Sequence, residues 1–244
     1  MPSKTEQGIT GFYDGIYLFY ESANSFLTLG LDGRWRRAAA RAAFAAVPGA
    51  ADVLDVCCGT GDLSAALLKA RKDVRLTGAD LNEAMLSLAA KKLPGAKLVR
   101  AEAKRLPFPD GNFDLVTMAF AARNLNIDRA KMLEALREFR RVLRPGGAFV
   151  NLETSVPRAP LLRLPMILYV KAAIGLLNLI SPKSRDSYSF LRDTILSFYP
   201  AQEFSSLLLE AGFSAASHSR LFPGPVAVHT AKKGPPPSSG GGRR

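Results

Sequence analysis

The chain has 244 residues, 48% hydrophobic and 22% charged, proportions that exclude a wholly disordered chain, a collagen-like repeat and a heptad-only coiled coil. Lys and Arg total 33 against 21 Asp and Glu, and the resulting +12 suits nucleic acid, an anionic membrane surface or an anionic small molecule. Cys57 and Cys58 are adjacent, which excludes a multi-bridge disulfide framework; no Cys/His spacing suggests zinc, no metal is expected, and a reducing compartment is the simple reading.

Residues 1–8 are polar and carry Glu6, a pattern unlike a signal or transit peptide. Residues 12–46 read as helices with aromatic and basic punctuation. A strand–helix rhythm follows. Residues 52–57 (DVLDVC) form a short apolar run that ends on a glycine turn, the pattern of a buried strand, and 63–70 is apolar with helical spacing. Strands are expected over 74–79, 97–101, 113–120 and 148–152, and helices over 83–93 and 128–143, the latter stopped by Pro145-Gly146-Gly147. This alternation predicts an α/β fold with a doubly wound parallel sheet. A helix over 201–211 and two strands near 215–222 and 226–231 suit an antiparallel hairpin on the sheet edge. Residues 234–244 (GPPPSSGGGRR) have nothing to bury and are expected to be disordered.

The first strand runs into Asp55-Val56-Cys57-Cys58-Gly59-Thr60-Gly61-Asp62. Glycines there let a backbone approach a ligand, and the following helix offers N–H donors. Asp80 ends the second strand, 19 residues after Gly61, where a carboxylate accepts hydrogen bonds from ribose hydroxyls. A dinucleotide fold would place a third glycine near Ser64, and a phosphate loop would need a lysine where Asp62 stands. Asp55 and Asp62 would repel a pyrophosphate and welcome a cationic ligand, so S-adenosylmethionine fits better than NAD.

Four stretches then carry a family resemblance: VLDVCCGTGDL, GADLNEAML, LPFPDGNFDLVT and RVLRPGGAFVNLETS. Together they resemble class I S-adenosylmethionine-dependent methyltransferases. Three more narrow the likeness to the C-methyltransferases of ubiquinone and menaquinone biosynthesis, the UbiE type. These are Phe120-Ala121-Ala122-Arg123-Asn124 (F-x-x-R-N), residues 185–191 (D-S-Y-x-[YF]-L) with Pro200 beyond, and Val226-Ala227-Val228-His229 (V-A-x-H). The likeness spans about residues 11–232. Tyr20, Asn24 and Trp35 keep the family's N-terminal signature, whereas Asp32 replaces a histidine, Glu102 stands for Asp or Asn, and Ala119 for a frequent serine.

The resemblance implies a Rossmann-like seven-stranded sheet with an antiparallel final strand. It also implies a helical N-terminal segment over 1–46, a methyltransferase domain over 47–233 and a lid insertion over about 156–199. It puts cofactor contacts at Gly59, Thr60, Gly61, Asp80, Glu102, Ala103 and Ala119, and acceptor contacts at Tyr20, Asn24, Tyr188 and His229. The implied reaction is C-methylation of a prenylated quinol, of the demethylmenaquinone or 2-methoxy-6-polyprenyl-1,4-benzoquinol type. A ring carbon becomes nucleophilic when the neighbouring hydroxyl loses its proton, so a base, a water path or a cation beside the phenolate is needed. Arg123, just past the fourth strand, is the expected residue for this, with Asn124 hydrogen-bonding a ring oxygen.

Residues 164–180 hold 17 residues with one charge, Lys171, at the lower limit for a spanning helix of about 20, and Pro165, Gly175 and Asn178 argue against a span. Arg158, Arg163, Lys171, Lys183, Arg185 and Arg192 surround this stretch against Asp186 and Asp193, a basic rim suited to anionic lipid. The expected enzyme is cytoplasmic and peripherally membrane-bound, with a polyprenylated quinol, a lipid surface and a second copy of the chain as partners. The basic stretches Arg34, Arg36, Arg37, Arg41 and Arg137, Arg140, Arg141, Arg144 read as solvated helix faces, and no nucleic acid is expected. The alternatives are a methyltransferase of another lipophilic phenol, an RNA-binding methyltransferase and a silent scaffold.

Overall fold

The structure, a computed structural model, describes residues 25–126, 128–222 and 225–235, with Lys183 as backbone only. Tyr20, Asn24, most of the expected helical N-terminal segment and the end of the expected tail lie outside these residues.

Helix α1 (Asp32–Ala46) turns Trp35, Arg36, Ala39, Ala40 and Ala43 inward, a stripe at helical spacing. Strand β1 (Asp52–Val56), α2 (Asp62–Ala70), β2 (Arg75–Asp80), α3 (Glu83–Lys92), β3 (Lys97–Arg100) and β4 (Phe113–Ala119) follow in the expected alternation. Next come α4 (Ala122–Leu125), α5 (Arg129–Val142), β5 (Leu143–Thr154), α6 (Pro160–Ile180), α7 (Arg185–Ser197), α8 (Ala201–Glu210), β6 (Ala215–Leu221) and β7 (Val226–Lys232). Among the described residues the sheet has seven strands in the order β3-β2-β1-β4-β5-β7-β6. The first five run parallel, and β7 runs antiparallel to both neighbours. β1 and β4 are buried along nearly their whole length because helices cover the sheet on both sides. Trp35, Ala39, Leu63, Leu67, Ala89, Val150 and Val228 pack one face, under α1, α2 and α3; Leu136, Phe139, Phe149, Phe204 and Leu207 pack the other, under α5 and α8. The chain reverses its direction of travel across the sheet between β1 and β4, and this places a crevice at their carboxyl ends.

The last two strands form the expected antiparallel hairpin on the sheet edge, with β7 beside β5 and β6 outermost. Burial decides the order, since Val226, Ala227, Val228 and His229 are all buried while β6 is largely exposed. Pro145-Gly146-Gly147, expected as a helix stop before a strand over 148–152, lies inside β5. Helix α5 already ends at Val142. Leu143 pairs Phe113, and the chain then bulges before Ala148 pairs Leu115. Gly146 has φ +79°, and its N–H donates to the Lys233 carbonyl at 2.9 Å. A Cβ on Gly147 would sit 2.7 Å from the Asp114 carbonyl oxygen and 2.9 Å from that of Arg144.

The amino ends of the strands are tied by charge. Asp114 accepts the N–H groups of Ala51 and Asp52, both at 2.9 Å, and pairs with Arg144 at 2.6 Å; Arg144 also reaches Asp52, which Arg75 grips from the other side. Arg141 binds Glu138, Asp110 and the carbonyl of Phe108, clamping the segment that leads into β4. Arg141 and Arg144, expected on a solvated face, are instead fastened to the fold.

Gly147→Ala must displace backbone rather than a pliable side chain. It is expected to cost about 2–3 kcal/mol, read as a lower urea midpoint at unchanged slope; an unchanged midpoint would contradict this packing.

Candidate functional site

The turn after β1 is built from unusual backbone. Cys57, Gly59 and Gly61 have φ of +53°, +56° and +84°. A non-glycine residue in this region is strained, by about 1–3 kcal/mol, and persists where its surroundings hold it. The Cys58 N–H donates to the Ala79 carbonyl at 3.1 Å, and the Gly61 N–H to the Cys58 carbonyl at 2.9 Å. A Cβ on Gly61 would meet Leu93 Cδ1 at 2.7 Å, so only glycine lets α3 pack this close to the turn. Burial pushes both thiols up, as do Asp55 and Asp80 nearby, so neither cysteine is poised as a nucleophile.

Asp80, at the end of β2, accepts from the Gly59 N–H at 2.8 Å and from the Asn82 N–H at 2.9 Å. Burial raises its pKa, and these donors oppose the rise. One carboxylate at the end of β2 thus fixes the glycine loop.

Asp55 lies fully inside. Its two oxygens accept from the Ser64 hydroxyl at 2.6 Å and the Thr117 hydroxyl at 2.9 Å, which ties β1 to α2 and β4. Burial pushes its pKa up to about 6, against the pull of both hydroxyls. The serine at the place of a third glycine therefore has a function of its own: it satisfies a buried acid.

The electrostatics correct two expectations. Asp62 does not stand free beside the loop, since it pairs with Lys92 and, at 3.4 Å, with Arg36. With Asp62 neutralised and Asp55 lifted by burial, the repulsion expected toward phosphate loses most of its force. Arg36, expected on a solvated face, is buried. It pairs with Asp32 and lies over the Phe120 ring, 5.7 Å from its centroid. Asp32 thereby acquires a partner one helical turn away. Arg36, Asp55, Cys57, Cys58, Gly59, Thr60, Asp62, Leu63 and Ala119 line one cleft at the carboxyl ends of β1 and β4. The cleft brings together three of the expected cofactor residues, Gly59, Thr60 and Ala119, and Gly61 stands next in the chain as the N-cap of α2. Glu102 lies past β3 with Lys104 3.2 Å away, and Ala103 is buried in the core beneath it.

Beyond β4, Phe120 has φ +55° and its N–H donates to the Leu152 carbonyl at 2.8 Å. This bend delivers Arg123 and Asn124 on α4, both buried. The Arg123 guanidinium meets Glu153, at the end of β5, at 3.0 Å, and Glu153 also accepts from the Thr154 N–H at 2.8 Å. Glu153 is completely buried. Removing one partner from such a pair strands the other charge, at a cost of roughly 3–5 kcal/mol. Sequence reasoning missed Glu153 and Arg36; the available signals were an acid closing an apolar strand and a lone arginine within an alanine-rich inward stripe.

Tyr188 is buried on α7 among the residues that pack α6 against α7. His229 lies inside the sheet, opposite Asn151 and three registers from the Thr154–Val226 pair that ends the ladder. Its ring packs edge-on to Phe204 at 4.8 Å, with His218 at 5.8 Å. Burial lowers its pKa to about 3. It is a neutral ring within the core at physiological pH.

Comparison with known proteins places this geometry. The ubiE/COQ5 methyltransferase family profile matches residues 1–233. The demethylmenaquinone methyltransferase of Clavibacter sepedonicus is 37% identical over 235 residues, covering 95% of this chain and 92% of its own. That of Bacillus subtilis is 34% identical, covering 94% and 98%. Among solved structures, a SAM-dependent methyltransferase of Thermotoga maritima shares the fold at TM-score 0.61 and 18% identity, over 91% of this chain and 99% of that one. A methyltransferase seen with the Trm112 activator of Haloferax volcanii does so at 0.62 and 16%, over 91% and 97%.

Asp55 and His229 act oppositely on acid stability. Asp55, raised to about 6, contributes stability that is full below its unfolded value near 3.8 and lost as pH rises through 6. His229, lowered to about 3, contributes stability that is full above 6.5 and lost as pH falls toward 3. Asp55→Asn should therefore steepen the loss of stability between pH 6 and 4, and His229→Phe should flatten it. Urea melts across that range check both, and parallel pH profiles in all three proteins would contradict them.

Proposed function

The chain is an S-adenosylmethionine-dependent methyltransferase of the ubiE/COQ5 family, and on that premise we propose that it methylates a ring carbon of demethylmenaquinol at a membrane surface. The observation that carries this reading is the Arg123–Asn124 pair, buried with Glu153 at the carboxyl edge of the sheet, beside the cleft that ends on Ala119. The residues of the cleft fit the cofactor. The left-handed glycine loop admits close backbone approach to a ligand, and the N-terminus of α2 opens beside it. When bound, S-adenosylmethionine supplies an electrophilic methyl group. Asp80 would hold its ribose hydroxyls, and Glu102 with the Ala103 backbone would flank its adenine.

The chain's remaining task is alignment, exclusion of water and removal of the phenol proton. Arg123 stabilises the phenolate or orients the water that takes its proton. Asn124 hydrogen-bonds the ring oxygen. Glu153 is a positioning residue, since it holds the guanidinium in one place without touching the ring. Tyr188 closes the acceptor side from α7.

Membrane contact rests on α6. Its 21 residues pass the length and hydropathy test for a span, and 28% of the apolar window is buried in the protein. Met166, Val170, Ala173, Ile174 and Leu177 form the stripe that packs inward. Leu161, Leu164, Leu168, Leu176, Leu179 and Ile180 face out. A helix that commits one stripe to its own protein lies along a bilayer rather than through it.

Labelled S-adenosylmethionine offered with demethylmenaquinol, the ubiquinone precursor and RNA should leave label in a ring methyl of menaquinol; transfer to RNA alone refutes the reading. Arg123→Met/Glu153→Gln, which removes both charges together, should fold and bind S-adenosylmethionine, yet lose roughly 100-fold or more in kcat. Full turnover in that variant would remove Arg123 from the chemistry. The chain should float with anionic liposomes, weakly at high salt, and Leu164→Ser/Leu168→Ser/Leu179→Ser should sink; a parent chain that sinks at both salts refutes membrane binding.

A further inference from the structure

A second cavity, distinct from the glycine-loop cleft, opens where α6 passes the β6–β7 end of the sheet, with a volume of about 530 Å³. Leu162, Pro165, Met166 and Tyr169 of α6 form one wall, and Phe222 and Pro225 face them. Of its lining side chains only Ser155, Tyr169 and Arg220 are polar; the Ser155 hydroxyl already accepts the Ala201 N–H at 2.9 Å, and the Tyr169 hydroxyl donates to the Leu27 carbonyl at 3.1 Å. Such a lining offers nothing to orient a sugar, a nucleotide or a peptide backbone. Apolar cavities hold water poorly and take hydrocarbon readily.

Its position is as informative as its lining. The inner end lies at Ser155 and Val226, where the β5–β7 ladder finishes, two residues from Glu153. The outer end is bounded by Phe222, 90% exposed, and Leu162, 57% exposed, beside the outward leucines of α6. One end therefore lies two residues along the chain from Glu153, and the other adjoins the apolar surface.

We propose that this cavity holds the ring-proximal part of the acceptor's prenyl tail, between the reacting ring and the bilayer. The inference rests on the quinol reading above. At the packing density of a protein interior the volume holds roughly four isoprene units, so longer tails extend past Phe222 into lipid. Recognition of the tail is then by length up to the mouth and indifferent beyond it.

The test is a series of demethylated naphthoquinols carrying zero, two, four and eight isoprene units, assayed in detergent with the full chain. KM is expected to fall at least tenfold from zero to four units and to change little from four to eight. In Leu162→Trp, and separately in Met166→Trp, which fill the cavity from the mouth and from the middle, the ratio of KM between the tail-less and four-unit quinols should collapse toward one. A ratio unchanged in both variants overturns the proposal. Binding decides independently of turnover: farnesol should bind the parent chain saturably and lose at least tenfold in affinity to Leu162→Trp. Absence of saturable farnesol binding overturns the cavity assignment even if the quinols are methylated; farnesol binding in a chain that methylates no quinol upholds the cavity and removes the quinol reading.

Discussion

Three acids at the carboxyl ends of parallel strands set the terms for everything around them. Asp55 lies one residue before the end of β1, Asp80 ends β2 and Glu153 lies one residue before the end of β5. Each is taken wholly or partly out of water, and a buried carboxylate needs partners or a proton. The solutions differ. Asp55 takes two hydroxyls, Asp80 takes two backbone N–H groups, and Glu153 takes a guanidinium. Those partners are the parts of the site. Satisfying Asp55 positions α2, satisfying Asp80 shapes the glycine loop, and satisfying Glu153 draws Arg123 inward. The cleft has its form because three charges had to be housed at one edge.

Basic residues tell a complementary story. Much of the excess that makes the chain cationic is not a free field. Arg36, Arg75, Arg141 and Arg144 each hold carboxylates, and Arg36 is buried under Phe120. What faces outward near the acceptor side is Arg163, Lys171 and Arg185, with Arg158 and Arg192 each in an exposed ion pair worth little in water. A modest basic rim beside exposed leucines is the arrangement on which the proposed membrane contact rests, with apolar burial as its larger contribution and charge as the selector of lipid.

The core of the fold was legible because period and punctuation agree there. The run 52–57 is apolar and ends in glycines, so strand, turn and helix follow from local chemistry, and the motif residues at Gly59, Gly61 and Asp80 stand on that frame. What the sequence did not reveal depends on pairing across distance. Nothing local in 143–147 says that Leu143 pairs Phe113 while the next four residues bulge; that requires the carbonyl of Asp114 to approach Gly147. The insertion of β7 is likewise a competition between two strands for one buried place. Arg36 and Glu153 were hidden for a related reason. A charge is read as exposed until its surroundings are known: Glu153's partner Arg123 lies 30 residues away, and Arg36, though paired locally with Asp32, is enclosed by the distant Asp62 and Phe120.

Helix α6 joins these strands of argument. A 21-residue helix with only two charged side chains would be a liability on a freely diffusing protein, because the leucines it exposes would recruit one another. The fold retains the helix through a narrow inward stripe seated against α7, and leaves the remainder uncovered. Its first turns also wall the apolar cavity beside Phe222. A single segment thus faces the protein core, the cavity and the surroundings at once. That geometry suits the proposed acceptor, whose reactive ring must be dehydrated while its tail stays in an apolar phase. If the acceptor comes from a bilayer as proposed, a helix with a fully polar outer face would force the tail through water on its way to the site, at about 25 cal/mol for each Å² of hydrocarbon exposed; uncovered leucines would remove that barrier.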